Sequence, residues 1–172
     1  MLWVRLSGEP SRHRVAVWRE LRRTGAVPLG QGTWVVPAAP VFTEGVQRAV
    51  ELAERGDGEV VVLSAAGRSE ADESRLAAMF TAEREQEWAE FLADCAKFVA
   101  EIDKEIGQRK FTVAELEEEE QSLERLRRWH RVIKTRDVFG APSAVDADRH
   151  FKHCEERLAD YTEQVFGALH QM

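Results

Sequence analysis

Only two cysteines, Cys95 and Cys154, occur in the 172 residues, too few for a disulfide scaffold and too far apart for a CxxC redox or zinc pair. Both are expected to be reduced thiols. Long apolar runs are missing as well: no stretch approaches the roughly 20 residues of a membrane span. The start MLWVRLSGEPSRHR has neither the apolar segment nor the small-residue cleavage site of a secretory signal. A cytoplasmic protein without a membrane partner is the expectation. Also absent are a Walker loop, a GxGxxG turn and a Ser/His/Asp order. Gly30-Gln31-Gly32 holds two glycines between strands and reads as turn chemistry. No catalytic residue, metal or cofactor is assigned, and a protein that is not an enzyme is expected.

What is present is charge, unevenly spread. With 44% hydrophobic and 32% charged residues, the chain has the composition of a globular protein. Its net charge is -7, yet residues 1 to 56 hold eight arginines against five glutamates, +3, so the remainder carries -10. Such a split predicts two regions with different surfaces, of which the basic one could attract a polyanion.

The first region reads as alternating short elements. LWVRLSG (2 to 8) is a strand ended by turn residues, and Ser11 is placed to cap a helix over 12 to 24 that Gly25 stops. AVPLG (26 to 30) and TWVVP (33 to 37) form a hairpin around Gly-Gln-Gly. A helix follows from Val41, with Thr43 as its cap and Gly56 as its stop. EVVVLSAAG (59 to 67) is continuously apolar, the pattern of a central strand buried on both faces. The order βαββαβ predicts a ferredoxin-like domain over residues 1 to 67. On the first helix, Val15, Val17, Trp18 and Leu21 share the arc expected to face the core. Arg12, Arg19 and Arg23 lie together on its flank with Arg22 nearby, as a solvated face or an anion-binding one. Arg14 falls inside the apolar arc, where it meets either an internal carboxylate or a ligand.

From residue 71 the period changes, which predicts a helical domain over residues 68 to 172. Trp88, Leu92, Cys95, Val99, Ile102 and Ile106 step by four and three, a heptad seam that Gly107 ends. Thr112 and Glu115 form a capping box for a second helix, with Leu116, Leu123, Leu126, His130 and Ile133 on its seam. The acidic run Glu115 and Glu117 to Glu120 suits that helix's positive end. Ser143 is the expected cap of a third, with Ala147, Phe151, Cys154, Leu158, Tyr161, Val165 and Ala168 facing inward. Three such helices predict a bundle. His150, His153 and Cys154 could share one side as zinc ligands. Cys154, however, already belongs to the seam, where a thiol serves as a small hydrophobe.

RVAVWRELRRTGAVPL and TWVVP, within residues 14 to 37, together with KFTVAELEEEEQSLERLRRW and RDVFGAP, within 110 to 142, resemble the chromate resistance protein ChrB family, N-terminal region. Trp34 stands where that family often has Tyr. The resemblance implies a ferredoxin-like module followed by helices and a link to chromate-responsive transcription regulation. Longer members continue into a further C-terminal region, so a sensing half is expected to be absent here. A small CRISPR-associated nuclease of the same fold places an Asp at the end of its first strand, where this chain has Leu6-Ser7-Gly8, so nuclease chemistry is not expected. Two function classes follow. One is a regulatory protein that meets DNA phosphate through Arg12, Arg14, Arg19, Arg22 and Arg23 as a homodimer, with an oxyanion as its possible effector. The other is a scaffold that dimerises without nucleic acid.

Overall fold

The structure is a computed structural model that describes residues 1–6 and 11–170, with the backbone alone at Ser11. The end of the first expected strand and the Ser11 side-chain cap lie outside the described residues. The protein is mixed α+β and divides into two compact units, Met1–Glu83 and Arg84–Met172. The division falls inside one long helix.

The first unit contains β1 (Leu2–Arg5), α1 (Ser11–Thr24), β2 (Val27–Gly30), β3 (Thr33–Val35), α2 (Thr43–Glu54), β4 (Glu59–Val62) and the opening turns of α3 (Glu70–Gln108). Its strands form one antiparallel sheet in the order β2-β3-β1-β4, with Leu2 opposite both Trp34 and Val62. Gly25 ends α1 at a φ of +92°, in the left-handed region that Gly enters without steric cost. Its N–H donates to the Arg22 carbonyl, and that of Ala26 donates to the Leu21 carbonyl. Residues 30 to 32 turn the hairpin with positive φ throughout. Gly32 is required there for space as well, since a Cβ would sit 2.3 Å from the Val4 carbonyl oxygen.

Strand alternation divides the apolar residues between two cores. Leu2 and Trp34, with Val4 and Val60 beside them, meet Val17 and Leu21 of α1 and Ala49 and Ala53 of α2. On the other group of side chains, Val27 and Val35 pack with Phe80, and Met1, Leu76 and Met79 pack against them. The opening turns of α3 therefore belong to the sheet unit. At Gly45 the two helices touch: a Cβ there would lie 2.2 Å from Thr24 Oγ1.

Two expectations for this unit are corrected. The run from 59 to 67 is neither central nor fully buried: β4 ends at Val62 and pairs only β1, at the sheet's edge. Val62 is 53% exposed and Leu63 46%. A run of valines reports strand preference but not how many neighbours the strand will have. Thr43 does not cap α2, because a 3-10 turn over Pro40–Phe42 leads into the helix and Phe42 occupies the cap position.

The second unit contains the rest of α3, α4 (Val113–Arg136) and α5 (Ala144–Leu169). The three helices share one apolar core, and the heptad positions supply most of it: Trp88, Cys95 and Ile102 from α3, Leu116, Leu123, Leu126 and Ile133 from α4, and Phe151, Cys154, Leu158, Tyr161 and Val165 from α5. Phe91 and Phe98 widen the α3 seam. Thr112 Oγ1 accepts from the Glu115 N–H at 3.3 Å, half of the expected capping box. Ser143 holds the cap position of α5 without capping it. Its N–H and hydroxyl both donate to the Glu85 carboxylate of α3, at 2.8 and 2.7 Å.

Candidate nucleic-acid interface

Helix α1 carries the arginines, and its orientation decides what they can meet. Val17, Glu20, Leu21 and Thr24 form the buried arc. Val15 and Trp18, expected in the core, are instead 41% and 53% exposed. At 100° per residue the helix is rotated by roughly 80° from the orientation its apolar side chains alone would choose. The cause is polar. Glu20 is buried and accepts from Arg23 Nε at 3.0 Å and from Arg48 Nε of α2 at 2.9 Å. Thr24 satisfies its hydroxyl by donating to the Glu20 carbonyl at 2.8 Å. Arg48 also binds Glu44. Burial pushes the Glu20 carboxyl up, but the hydrogen bonds from Arg48 and Arg23 outweigh it and hold the group below the usual carboxylate range. A paired carboxylate can thus face α2, and the indole is turned outward.

This rotation sorts the five candidate arginines. Arg23 is committed to Glu20, with a second guanidinium nitrogen at 2.7 Å. Arg22 makes an exposed pair with Glu83, Nη1 to Oε2 3.2 Å. Among the described residues Arg12 reaches only the adjacent His13 ring, at 3.4 Å. Arg14 and Arg19 are exposed and make no ion pair or side-chain hydrogen bond among the described residues. Arg14 therefore has no internal carboxylate partner there, and it stands on the outward face instead of within a buried arc. Arg14, Trp18 and Arg22 recur every four residues along one ridge. Trp18, like Val15, is a residue that sequence reasoning misplaced. Its signal was the i-4 and i+4 arginines on either side of it. The face offers planar cations suited to phosphate oxygens, and among the described residues it places no acid or base beside a nucleophile.

Other polar clusters lie in the second unit. His130 contacts Asp148 at 2.7 Å and stacks on Phe151 with ring centroids 5.1 Å apart. The candidate zinc set does not converge: Cys154 is buried, whereas His150 and His153 are exposed. Among the described residues no group of His, Cys, Asp and Glu side chains could hold a metal ion. Cys154 Sγ donates to the Cys95 carbonyl at 3.6 Å. The Cys95 thiol is pushed up by its hydrogen bond with Cys154 and by burial. Glu105 is buried with Lys110 Nζ at 3.2 Å from Oε1, while its Oε2 has no partner among the described residues. Glu119 is 6% exposed and its carboxyl is pushed up to about 7 by burial and by Glu101, Glu118, Glu105 and Glu115.

A mixed α+β chain whose sheet unit presents a basic helix face, followed by a helical unit, is the class of protein these features define. The family model described as Protein ChrB, N-terminal, matches residues 14–172, and the chain belongs to that family, which is tied to chromate resistance. No curated protein and no solved structure matches the chain. Among the described residues no helix is long and apolar enough to cross a membrane.

Proposed function

We propose that this chain is a non-catalytic regulatory protein of the ChrB N-terminal type, working in the cytoplasm as a homodimer, that contacts DNA phosphates through the outward face of α1. The observation that carries this reading is that Arg14 and Arg19 project outward without an acidic partner among the described residues. A guanidinium left free in the folded protein is available to a phosphate. Arg12 and Arg22 extend the face, whereas Arg23 serves mainly to hold Glu20. The βαββαβ connectivity and the strand order β2-β3-β1-β4 support a ferredoxin-like first domain. The core shared by the heptad positions of α3, α4 and α5 supports a bundle after it.

Binding of the full chain to DNA, single-stranded and duplex, measured across a salt series, tests the proposal. Arg14→Ala and Arg19→Ala should each weaken binding about equally on any sequence and lower the salt slope by roughly one. Salt-insensitive behaviour, with both variants matching the wild type, would overturn it. That result would favour a scaffold that dimerises without nucleic acid, a reading supported by the apolar β4 edge with Val61, Val62 and Leu63 exposed.

A further inference from the structure

We infer that Trp18 is a base-stacking platform, so that the ligand of the α1 face is single-stranded DNA or DNA with an unstacked base. This rests on the DNA reading proposed above and goes beyond it by naming the form of nucleic acid. Of the five tryptophans, Trp34 and Trp88 are buried and Trp3 and Trp129 half-buried, while Trp18 alone is exposed, at 53%. Its neighbours on the helix are cationic: Arg14 one turn before, Arg19 beside it in sequence, and Arg22, paired with Glu83, one turn after. On a helix rising 1.5 Å per residue, Arg14 and Arg22 stand about 12 Å apart along the axis with the indole midway. That spacing lets Arg14 hold one phosphate while a base lies against the ring, and Arg22 hold a second by exchanging Glu83 for it.

An apolar partner would not need the arginines, and a phosphate-only contact would not need the indole. In an intact duplex the bases cover one another's faces and present only their edges in the grooves. A flat indole therefore gains most where a base face is open, and aromatic stacking of this kind accompanies a cationic track in single-strand binders. The cations at Arg14 and Arg19, which carry no acidic partner among the described residues, complement a polyanion and favour nucleic acid over an uncharged protein surface.

The test compares wild type, Trp18→Ala, Trp18→Phe, Arg14→Ala and Arg19→Ala, all as the full chain, by fluorescence anisotropy. The probes are labelled oligo(dT), a strand of equal length with abasic sites at its centre, and a duplex. Trp18→Ala should weaken oligo(dT) binding about 10-fold with an unchanged salt slope, and Trp18→Phe should recover most of the loss. Wild type should lose a similar factor on the abasic strand, where Trp18→Ala loses nothing more. Equal weakening of Trp18→Ala on both strands, or no weakening, would overturn stacking while leaving the arginine effects to uphold the phosphate reading. Absence of salt-dependent binding by the wild type to every probe would overturn the DNA reading and this inference with it. A switch from dimer to monomer in Trp18→Ala, seen by light scattering, would also overturn it, by assigning the indole to a protein contact.

Discussion

Replacing Glu119 by Gln should stabilise the protein, and should do so only where Glu119 would otherwise ionise. Glu119 lies near the start of α4 and is buried. Glu115 and Glu118 of its own helix and Glu101 and Glu105 of α3 all disfavour a further negative charge. Lys104 and Lys110 are engaged with Glu101 and Glu105, and Tyr161 of α5 uses its hydroxyl on the Lys110 carbonyl at 2.6 Å. Among the described residues no cation or donor compensates Glu119, and it holds its proton to about 7 against an ordinary 4.5. Each tenfold change in proton affinity corresponds to about 1.4 kcal/mol, so ionising the folded side chain costs up to about 3 kcal/mol, less whatever local relaxation and water entry recover.

The direction follows from proton counts. Between pH 4.5 and 7 the folded carboxyl keeps a proton that the unfolded one has lost, so stability falls as pH rises through that window and levels off above it. Gln cannot ionise. Urea unfolding followed by far-UV ellipticity should therefore show Glu119→Gln more stable than wild type by about 1 to 3 kcal/mol at pH 8, and equal to it near pH 4.5. A stability difference independent of pH, or a less stable Gln variant at pH 8, would refute the reasoning.

Gly45→Ala places a methyl 2.2 Å from Thr24 Oγ1, so α1 and α2 must part or Thr24 must turn. A loss of about 1 to 3 kcal/mol in thermal or urea unfolding is expected, and Thr24→Ser, which removes the Cγ2 methyl at 2.6 Å, should recover part of it. Cys95 and Cys154 are both buried and should react slowly with an aromatic disulfide reagent in buffer and quickly in denaturant. Equal rates would contradict their place in the core.

The helical unit was legible because heptad spacing carries its own geometry. Residues four and three apart face one side of any helix, so Cys95, Ile102, Leu123, Phe151 and Tyr161 could be placed inward before their partners were known. Turn chemistry was legible for the same reason: Gly25, and the Gly-Gln-Gly hairpin, answer local backbone demands. The Thr112 cap is likewise a contact between near neighbours, whereas the Ser143 hydroxyl was drawn to Glu85, 58 positions away.

The sequence by itself thus determined the order of the helices and strands and the hairpin turn, which depend on interactions within a few residues, and it carried the motifs of the family. Tertiary structure decided the number of neighbours each strand has, leaving β4 on an edge. It also recruited the opening turns of α3 to the sheet unit through Phe80. Above all it set the roll of α1. An amphipathic pattern assigns an arc to the core by counting apolar side chains, and it counted Trp18 in and Glu20 out. A carboxylate can be buried when cations from its own helix and from α2 satisfy it, and Arg48 is 28 positions from Glu20. That long-range pair, invisible to helical periodicity, turned the indole and Arg14 onto the surface.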